Sequence, residues 1–246
     1  MYVPYIDQYS AKCMLGKLSK NIKQEGSVLS WESQKRKHIV LIDDKIDFGV
    51  LQRIGGANFH YLSEETLEIM KANFRVKSSP GKSVVQQITQ NFSGKKNRRF
   101  RNYLNRYSKL SVEPELRKIS DLSDMLKEWS VGMGSKYFRD MSTKNKFFIE
   151  NGFHKGCENV FVYKDEQLVS FGVLSPIKDG RCAYIIGKAL SHIYPGLAEF
   201  TDLTAYRRVG GEFMVNLGQG EGGLLAYKMK FPGAFIQEHY DGSYAV

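Results

Sequence analysis

Residue types capable of chemistry gather in the last third of the chain. There Phe213-Met-Val-Asn-Leu-Gly-Gln-Gly-Glu-Gly-Gly-Leu-Leu-Ala-Tyr-Lys-Met-Lys-Phe-Pro-Gly passes from an apolar run through glycines into a short helical pattern stopped by Pro232-Gly233. The stretch reads as strand, loop, helix. Amides left unpaired at a strand end and a helix start turn toward one place, which suits an anionic or carbonyl-bearing group. It also contains Gly218-x-Gly220-x-x-Gly223, formally a dinucleotide fingerprint. That fingerprint needs a βαβ unit of about 30 residues and further parallel strands after it, and too little chain follows Gly223 to build them. Glycines that only serve a tight strand-to-helix turn are the plainer alternative.

The positioning elements must come from a chain of 246 residues, 42% hydrophobic and 13% aromatic. That composition excludes a disordered chain and allows one large domain or two small ones. No apolar run approaches the ~20 residues that span a bilayer, and Met1-Tyr-Val-Pro-Tyr-Ile-Asp lacks the basic start of a signal peptide. A cytoplasmic location without stable membrane insertion is expected. Cys13, Cys157 and Cys182 form no CxxC pair and the histidines are scattered, so neither a disulfide framework nor a metal site is expected. The net charge of +10 favours a polyanionic partner, nucleic acid ahead of an anionic membrane surface. A merely basic protein is the alternative.

In chain order, residues 12–22 suggest a short helix ending at Gly26. His38-Ile-Val-Leu-Ile-Asp and Ile46-Asp-Phe-Gly-Val-Leu, separated by Asp43-Asp44-Lys45, predict a hairpin. Ser63 is placed to cap a helix with Glu64 and Glu65 in its first turn and Leu67, Met70 and Phe74 inward. Ser79-Pro80-Gly81 reads as a linker, after which Val84, Val85, Ile88 and Phe92 recur at helical spacing. From 95 to 110 a helical wheel puts Lys95, Arg98, Arg99, Asn102, Arg106 and Lys109 on one arc and Phe100, Tyr103, Leu104 and Tyr107 on another. No acidic residue offsets that basic arc at i,i+4, as it would on an ordinary solvated face. A phosphate ligand for Lys95, Arg98, Arg99, Arg106 and Lys109 is therefore expected, with the solvated face as the alternative.

Ser120 is expected to cap a helix with Leu122, Met125, Leu126 and Trp129 inward, and Ser142 another through Phe147, Phe148 and Ile149 that closes at Gly152. Three antiparallel strands follow: Asn159-Val-Phe-Val-Tyr, Leu168-Val-Ser-Phe-Gly-Val-Leu, and Cys182-Ala-Tyr-Ile-Ile-Gly, with turns at Lys164-Asp-Glu and Lys178-Asp-Gly. A helix over 195–209, with Leu197, Phe200 and Leu203 inward, leads to the strand and short helix described first. A last strand is expected over 234–239.

This order of β, β, β, α, β, α resembles the GCN5-related N-acetyltransferase (GNAT) fold: an α/β (α+β) arrangement with a mixed, mostly antiparallel sheet and flanking helices. Leu224-x-x-Tyr227-Lys228-x-Lys230-Phe231-Pro232-Gly233, preceded by Asn216-Leu217-Gly218, resembles the C-terminal signature of the aminoacyl-tRNA-dependent transferases on that fold. These are the Fem peptidyltransferases and the catalytic domain of the lysylphosphatidylglycerol synthases. Arg98-Arg99-Phe-Arg101-x-x-Leu104-x-Arg106 is similar to the basic helix before their second half. The resemblance covers residues 92–240 and implies a GNAT-like half over 80–246 with its basic helix over 95–110. Residues 1–79 would be an αβ half, similar to a degenerate first GNAT-like half.

The resemblance implies two splayed strand ends, over 185–188 and 215–218, where the backbone at Gly187, Gly218 and Gly220 pairs with a donor substrate. Lys228 would supply electrostatic stabilisation, with Tyr227 and Lys230 beside it, and Asn216 would hydrogen-bond the donor carbonyl. His192 and Tyr194 precede a helix where proton carriers could sit, and Glu199 and Asp202 are placed to recognise an amine. The plainer reading of each is a solvated lysine, a structural strand asparagine, or packing and capping residues. The pyrophosphate loop of acetyl-coenzyme A enzymes does not match Gly187-Lys-Ala-Leu-Ser-His-Ile-Tyr-Pro-Gly196. Aminoacyl-tRNA is therefore the preferred donor, with acyl-coenzyme A still possible and a lipid acceptor not expected. The expected activity is a soluble acyl or aminoacyl transfer to an amine or hydroxyl, on a small molecule or linked to a base. Nucleic acid (tRNA or DNA) would be donor carrier or, as a modified DNA or RNA base, acceptor. A non-catalytic nucleic-acid-binding protein on the same scaffold and a coenzyme A-dependent small-molecule N-acyltransferase are the alternatives.

Overall fold

The computed structural model describes residues 20–89, 94–133, 156–177, 179–219 and 222–246. In chain order its elements are β1 (Lys20–Glu25), β2 (Val28–Ser33), β3 (Arg36–Leu41), α1 (Phe48–Ile54), β4 (Gly56–Leu62), α2 (Glu64–Asn73), β5 (Arg75–Ile88) and α3 (Arg98–Arg106). They continue as β6 (Ser111–Glu113), α4 (Ile119–Met133), β7 (Glu158–Lys164), β8 (Gln167–Leu174), β9 (Arg181–Ala189), α5 (Leu197–Val209), β10 (Phe213–Gln219), α6 (Gly222–Lys228) and β11 (Ala234–Ala245). Contacts divide the chain after Gln86 and after Met214, so that residues 215–246 fall in one unit with the N-terminal part and 87–214 form the other. Sequence alone places a boundary at 79/80.

In the first unit the strand order is β1-β2-β3-β4-β11-β5, antiparallel except for the β3–β4 pair. Gln34 and Lys35 both take left-handed φ, 51° and 63°, the geometry of a two-residue hairpin turn whose twist matches its strands. That turn sets Trp31 opposite His38. Alternate residues then face opposite sides of the sheet. Val28, Ile39, Leu41 and Phe59 join Leu51, Leu67 and Met70 of the helices in one core, while Trp31, Val40 and Tyr61 form a smaller cluster. Ser63 caps α2 as expected, its hydroxyl accepting from the Thr66 amide at 3.1 Å.

Three expectations for this unit are overturned. Residues 20–25 are a strand, not part of a helix, because they pair with β2. Ile46-Asp-Phe-Gly-Val-Leu is not a strand: Asp47 accepts from the Val50 amide at 3.0 Å and so caps α1, and the hairpin partner of β3 is β2. Ser79-Pro80-Gly81 is not a linker but the middle of β5, paired there with Asp241, Tyr240 and His239 of β11. Val84, Val85 and Ile88 lie on that same strand rather than on a helix, and Phe92 is outside the described residues.

The second unit carries the sheet β9-β8-β7-β6, antiparallel throughout. Asp165 and Glu166, with φ of 46° and 66°, make the expected tight turn between β7 and β8. Helix α5 packs on β7, β8 and β9, α3 packs on α5, and α4 packs on β8 and β9. Leu122, Met125, Leu126 and Trp129 of α4 are buried as expected. The helix expected over 142–152 lies outside the described residues. Strand β11 runs to Ala245, longer than the 234–239 expected. No described helix is long and apolar enough to cross a membrane.

Candidate active site

In the first unit the end of β10 is shaped by its own side chains. Asn216 is fully buried, and its Oδ1 accepts from the Gly218 amide at 2.6 Å, a turn in which the side chain takes the part of the backbone. Gly218 adopts a φ of 74°, open to glycine at little steric cost. Lys228, the last residue of α6, reaches back to the same turn. Its Nζ donates to the carbonyls of Gly218 at 3.2 Å and Gln219 at 2.6 Å. Tyr227 packs edge-on against Phe231 at 5.5 Å, and the exposed Lys230 ammonium stands 5.6 Å from the Tyr227 ring centre. Asn216, Gly218, Tyr227, Lys228 and Lys230 thus share one turn and its helix. Gly220 lies outside the described residues.

Beside that turn stands a polar network that sequence reasoning missed. Asp241 of β11 accepts from the Tyr61 amide at 3.1 Å and faces His60 Nδ1 at 3.4 Å through Oδ1. Through Oδ2 it accepts from Gln219 Nε2 at 3.1 Å and meets His239 Nε2 at 3.4 Å. His60 Nε2 is 3.0 Å from His38 Nδ1, and Trp31 stacks on both rings. Burial would raise the Asp241 pKa, but hydrogen bonds from His239, His60 and the Tyr61 amide outweigh it and hold the carboxyl well below its ordinary range. Tyr61 has a φ of 62°, uncommon for an aromatic residue, and the bond from its amide to Asp241 supports that geometry. The available signal was His239 and Asp241 two apart on a strand, hence on one face. The distant partners Gln219, His60 and His38 left none.

The remaining expected residues belong to the second unit. Gly187 lies under the Tyr184 phenol, where a Cβ would collide, as one would on Gly172 of the next strand. That phenol donates to Asp202 Oδ1. Burial first, and Asp202 second, push the Tyr184 pKa well above its ordinary value. Asp202 is 7% exposed and Glu199 6%, so both are inside α5's packing rather than on an open amine site. His192 packs over Gly132 of α4 and stands 3.7 Å from Glu128. Tyr194 lies 4.8 Å below the Lys164 ammonium. Both are held by packing partners of their own, and burial pushes the Cys182 thiol up to about 12.

The basic stretch folds largely as its periodicity predicts. Lys95 lies in a short 3-10 turn and Lys109 beyond the helix, so α3 proper is shorter than the 95–110 expected. Lys95, Arg98, Arg99, Arg106 and Lys109 are exposed, while Phe100, Leu104 and Tyr107 are buried. No described carboxylate forms an ion pair with these five cations, although Arg99 feels the charge of Glu199. Arg106 donates to the Pro195 carbonyl at 3.2 Å and Tyr107 to the same oxygen at 2.8 Å. Tyr103 packs directly on Gly196, the residue that opens α5. A pyrophosphate bound at a helix start needs open amides there. Here a tyrosine ring covers it and Pro195 has no N–H to offer, so the residues present do not fit such a cradle.

Neither a protein-family model nor a curated protein matches the sequence. Solved structures do. A conserved protein of unknown function from Bacteroides thetaiotaomicron VPI-5482 is 13% identical, with a TM-score of 0.77 over 99% of this chain and 91% of that one. The C-terminal domain of a putative lysylphosphatidylglycerol synthetase from Agrobacterium fabrum is 15% identical, with a TM-score of 0.64 over 97% and 87%. L-PGS from Bacillus licheniformis is 14% identical, with a TM-score of 0.65 over 96% and 86%. A GNAT-family acetyltransferase from Colwellia psychrerythraea reaches 0.50 at 7% identity, over 96% and 90%.

The fold is GNAT-like. At these identities the likeness concerns the backbone alone, and a fold by itself hosts many chemistries. The GNAT-like fold nevertheless fixes the order of elements around the turn that Asn216, Gly218 and Lys228 build.

Proposed function

We propose that the chain transfers an activated acyl or aminoacyl group to an amine or hydroxyl acceptor, with aminoacyl-tRNA as the preferred donor. The observation that carries the reading is the turn at the end of β10, where a lysine ammonium is drawn onto two main-chain carbonyls beside a buried asparagine. Two further observations support it: a fold like that of the lysylphosphatidylglycerol synthetase domain, and an exposed basic face on α3.

An aminoacyl ester is already activated, so catalysis needs positioning, stabilisation of the oxyanion and removal of a proton from the nucleophile. The acceptor lone pair attacks the ester carbonyl, a C–N or C–O bond forms, the ester C–O bond breaks, and the ribose hydroxyl leaves with a proton. The Lys228 charge opposes the negative charge that develops on the carbonyl oxygen. An alkylamine with a pKa near ~10.4 must first lose its proton to water or a side chain. In this reading the α3 cations hold phosphates of the nucleic acid, whether it carries the donor or, as a modified base, the acceptor.

The test is single-turnover transfer from mixed aminoacyl-tRNAs to hydroxylamine, followed by release of labelled amino acid as hydroxamate above the uncatalysed rate. No acceleration, together with micromolar calorimetric binding of acetyl-coenzyme A, would overturn the reading in favour of a coenzyme A-dependent small-molecule acyltransferase. Salt-sensitive tRNA or DNA binding without acceleration would favour a non-catalytic nucleic-acid-binding protein.

A further inference from the structure

Asp241 has its acceptor capacity filled from inside its own unit. A carboxylate offers about four lone-pair positions, and those of Asp241 face the Tyr61 amide, His60, Gln219 and His239. A carboxylate so occupied holds its partners in place rather than a substrate. His60 and His38, stacked under Trp31, brace it from one side. His239, whose side chain has no exposed surface, braces it from the other. Glycine at position 81 leaves room for the arrangement: a Cβ there would meet His239 Nε2 at 2.6 Å and Asp241 Oδ2 at 3.1 Å.

Gln219 leads from this network to the candidate site. It is exposed at a strand end, where a glutamine would ordinarily keep most of its rotamer freedom. Here its Nε2 lies 3.1 Å from both Asp241 Oδ2 and His239 Nε2. Its main-chain carbonyl accepts from Lys228 Nζ at 2.6 Å, closer than the Gly218 carbonyl at 3.2 Å. A hydrogen bond from an ammonium is stronger than a neutral one and correspondingly sensitive to where its acceptor stands.

We propose that Asp241 is a positioning residue for Lys228: it pins the Gln219 side chain, and the Gln219 carbonyl in turn fixes the Lys228 ammonium at the end of β10. This rests on the reading of Lys228 as the group that stabilises the oxyanion. Asp241 itself touches no substrate. Its depressed pKa keeps it ionised throughout the range in which a transferase works, so the anchor does not weaken near neutrality.

The test compares wild-type protein with Asp241→Asn and Gln219→Ala, the latter at an exposed position that leaves the core intact. Lysines are labelled with trace acetic anhydride and read by mass spectrometry, and single-turnover transfer from aminoacyl-tRNA to hydroxylamine is measured alongside. Lys228 labelling should rise about fivefold in both variants, the protection of roughly one net hydrogen bond, while Lys230 labelling stays constant. The single-turnover rate should fall roughly tenfold to a hundredfold with donor affinity little changed, as for a misplaced catalytic group. Unchanged Lys228 labelling in folded Gln219→Ala, or raised labelling with an undiminished rate, would overturn the inference. Absence of transfer by the wild type would count against the proposed function alone, and the labelling would still decide this one.

Discussion

Asp241 in the first unit keeps 27% of its side chain exposed and gathers two imidazoles, an amide side chain and a main-chain N–H. Asp202 in the second is 7% exposed and takes the phenol of Tyr184. The Tyr184 phenol, whose pKa burial has raised, keeps its proton throughout the neutral range. The first carboxylate sits in a network of polar side chains that ends on an exposed turn. The second belongs to a buried interior, where Gly172 and Gly187 leave space for the Tyr184 ring. A carboxylate in a polar cluster is thus weak evidence of a site until its partners are known.

The sharpest way to break this comparison is to remove the group that the first network serves. Lys228→Ala should lower single-turnover transfer about 10²–10³-fold, the loss typical of one oxyanion-stabilising donor, with the melting temperature little changed. Lys230→Ala, beside an aromatic ring and exposed, should do far less. Equal, small effects would mean that the turn is structural in both cases.

A converse result is expected in the second unit. Tyr184→Phe takes from the buried Asp202 one of its donors and should cost about 1–3 kcal/mol of stability in urea unfolding, with a loss that does not vary between mildly acidic and neutral pH. A loss that changed sharply only below about pH 4 would make the two carboxylates alike.

The pH dependence itself sharpens the contrast. The folded-state pKa of Asp241 is depressed, so its contribution to stability is fully present above the unfolded value of about 3.9 and is lost as pH falls below it. Acid unfolding followed by circular dichroism should show this loss beginning below about pH 4, and Asp241→Asn should flatten it. An unaltered acid limb in a folded Asp241→Asn would remove Asp241 from its place at the centre of the network.

The smallest expected effect tests the charges of the second unit rather than its carboxylate. If α3 faces phosphates, Arg98→Ala or Arg106→Ala should lower the slope of log affinity against log salt by roughly 0.7–0.9 each, the value of one neutralised phosphate. Unchanged slopes in both would make α3 an ordinary solvated face.

Much of the architecture was legible because it is local. Ser63 with its acidic first turn predicts α2, Lys164-Asp-Glu predicts the turn before β8, and the 3.6-residue period of 98–107 separates Phe100, Leu104 and Tyr107 from the arginines before any fold is known. The order of elements from β7 to α6 followed from the same periodicities, and that order carried the resemblance to the GNAT fold. Local reading failed where an apolar run fits two structures. Ile46 to Leu51 alternates like a strand, but the Asp47 carboxylate turns it into a capped helix.

Tertiary structure alone decided the rest, because sheet pairing joins residues that are far apart in sequence. Ser79-Pro80-Gly81 carries every sign of a linker, yet β11 pairs with Arg75 to Gln86 of β5 and makes it a strand. Asp241 meets the amide of Tyr61 across 180 positions and the side chain of Gln219 across 22. No periodicity within one segment encodes such a meeting. The sequence by itself determined the elements set by local signals, such as the capped α2, the basic helix and the strands β7 to β9, through capping, turn chemistry and periodicity. Which polar side chains share a hydrogen bond was left to the register of strands from opposite ends of the chain, since only that register brings a carboxylate, three imidazoles and a glutamine within 3 to 4 Å of their partners.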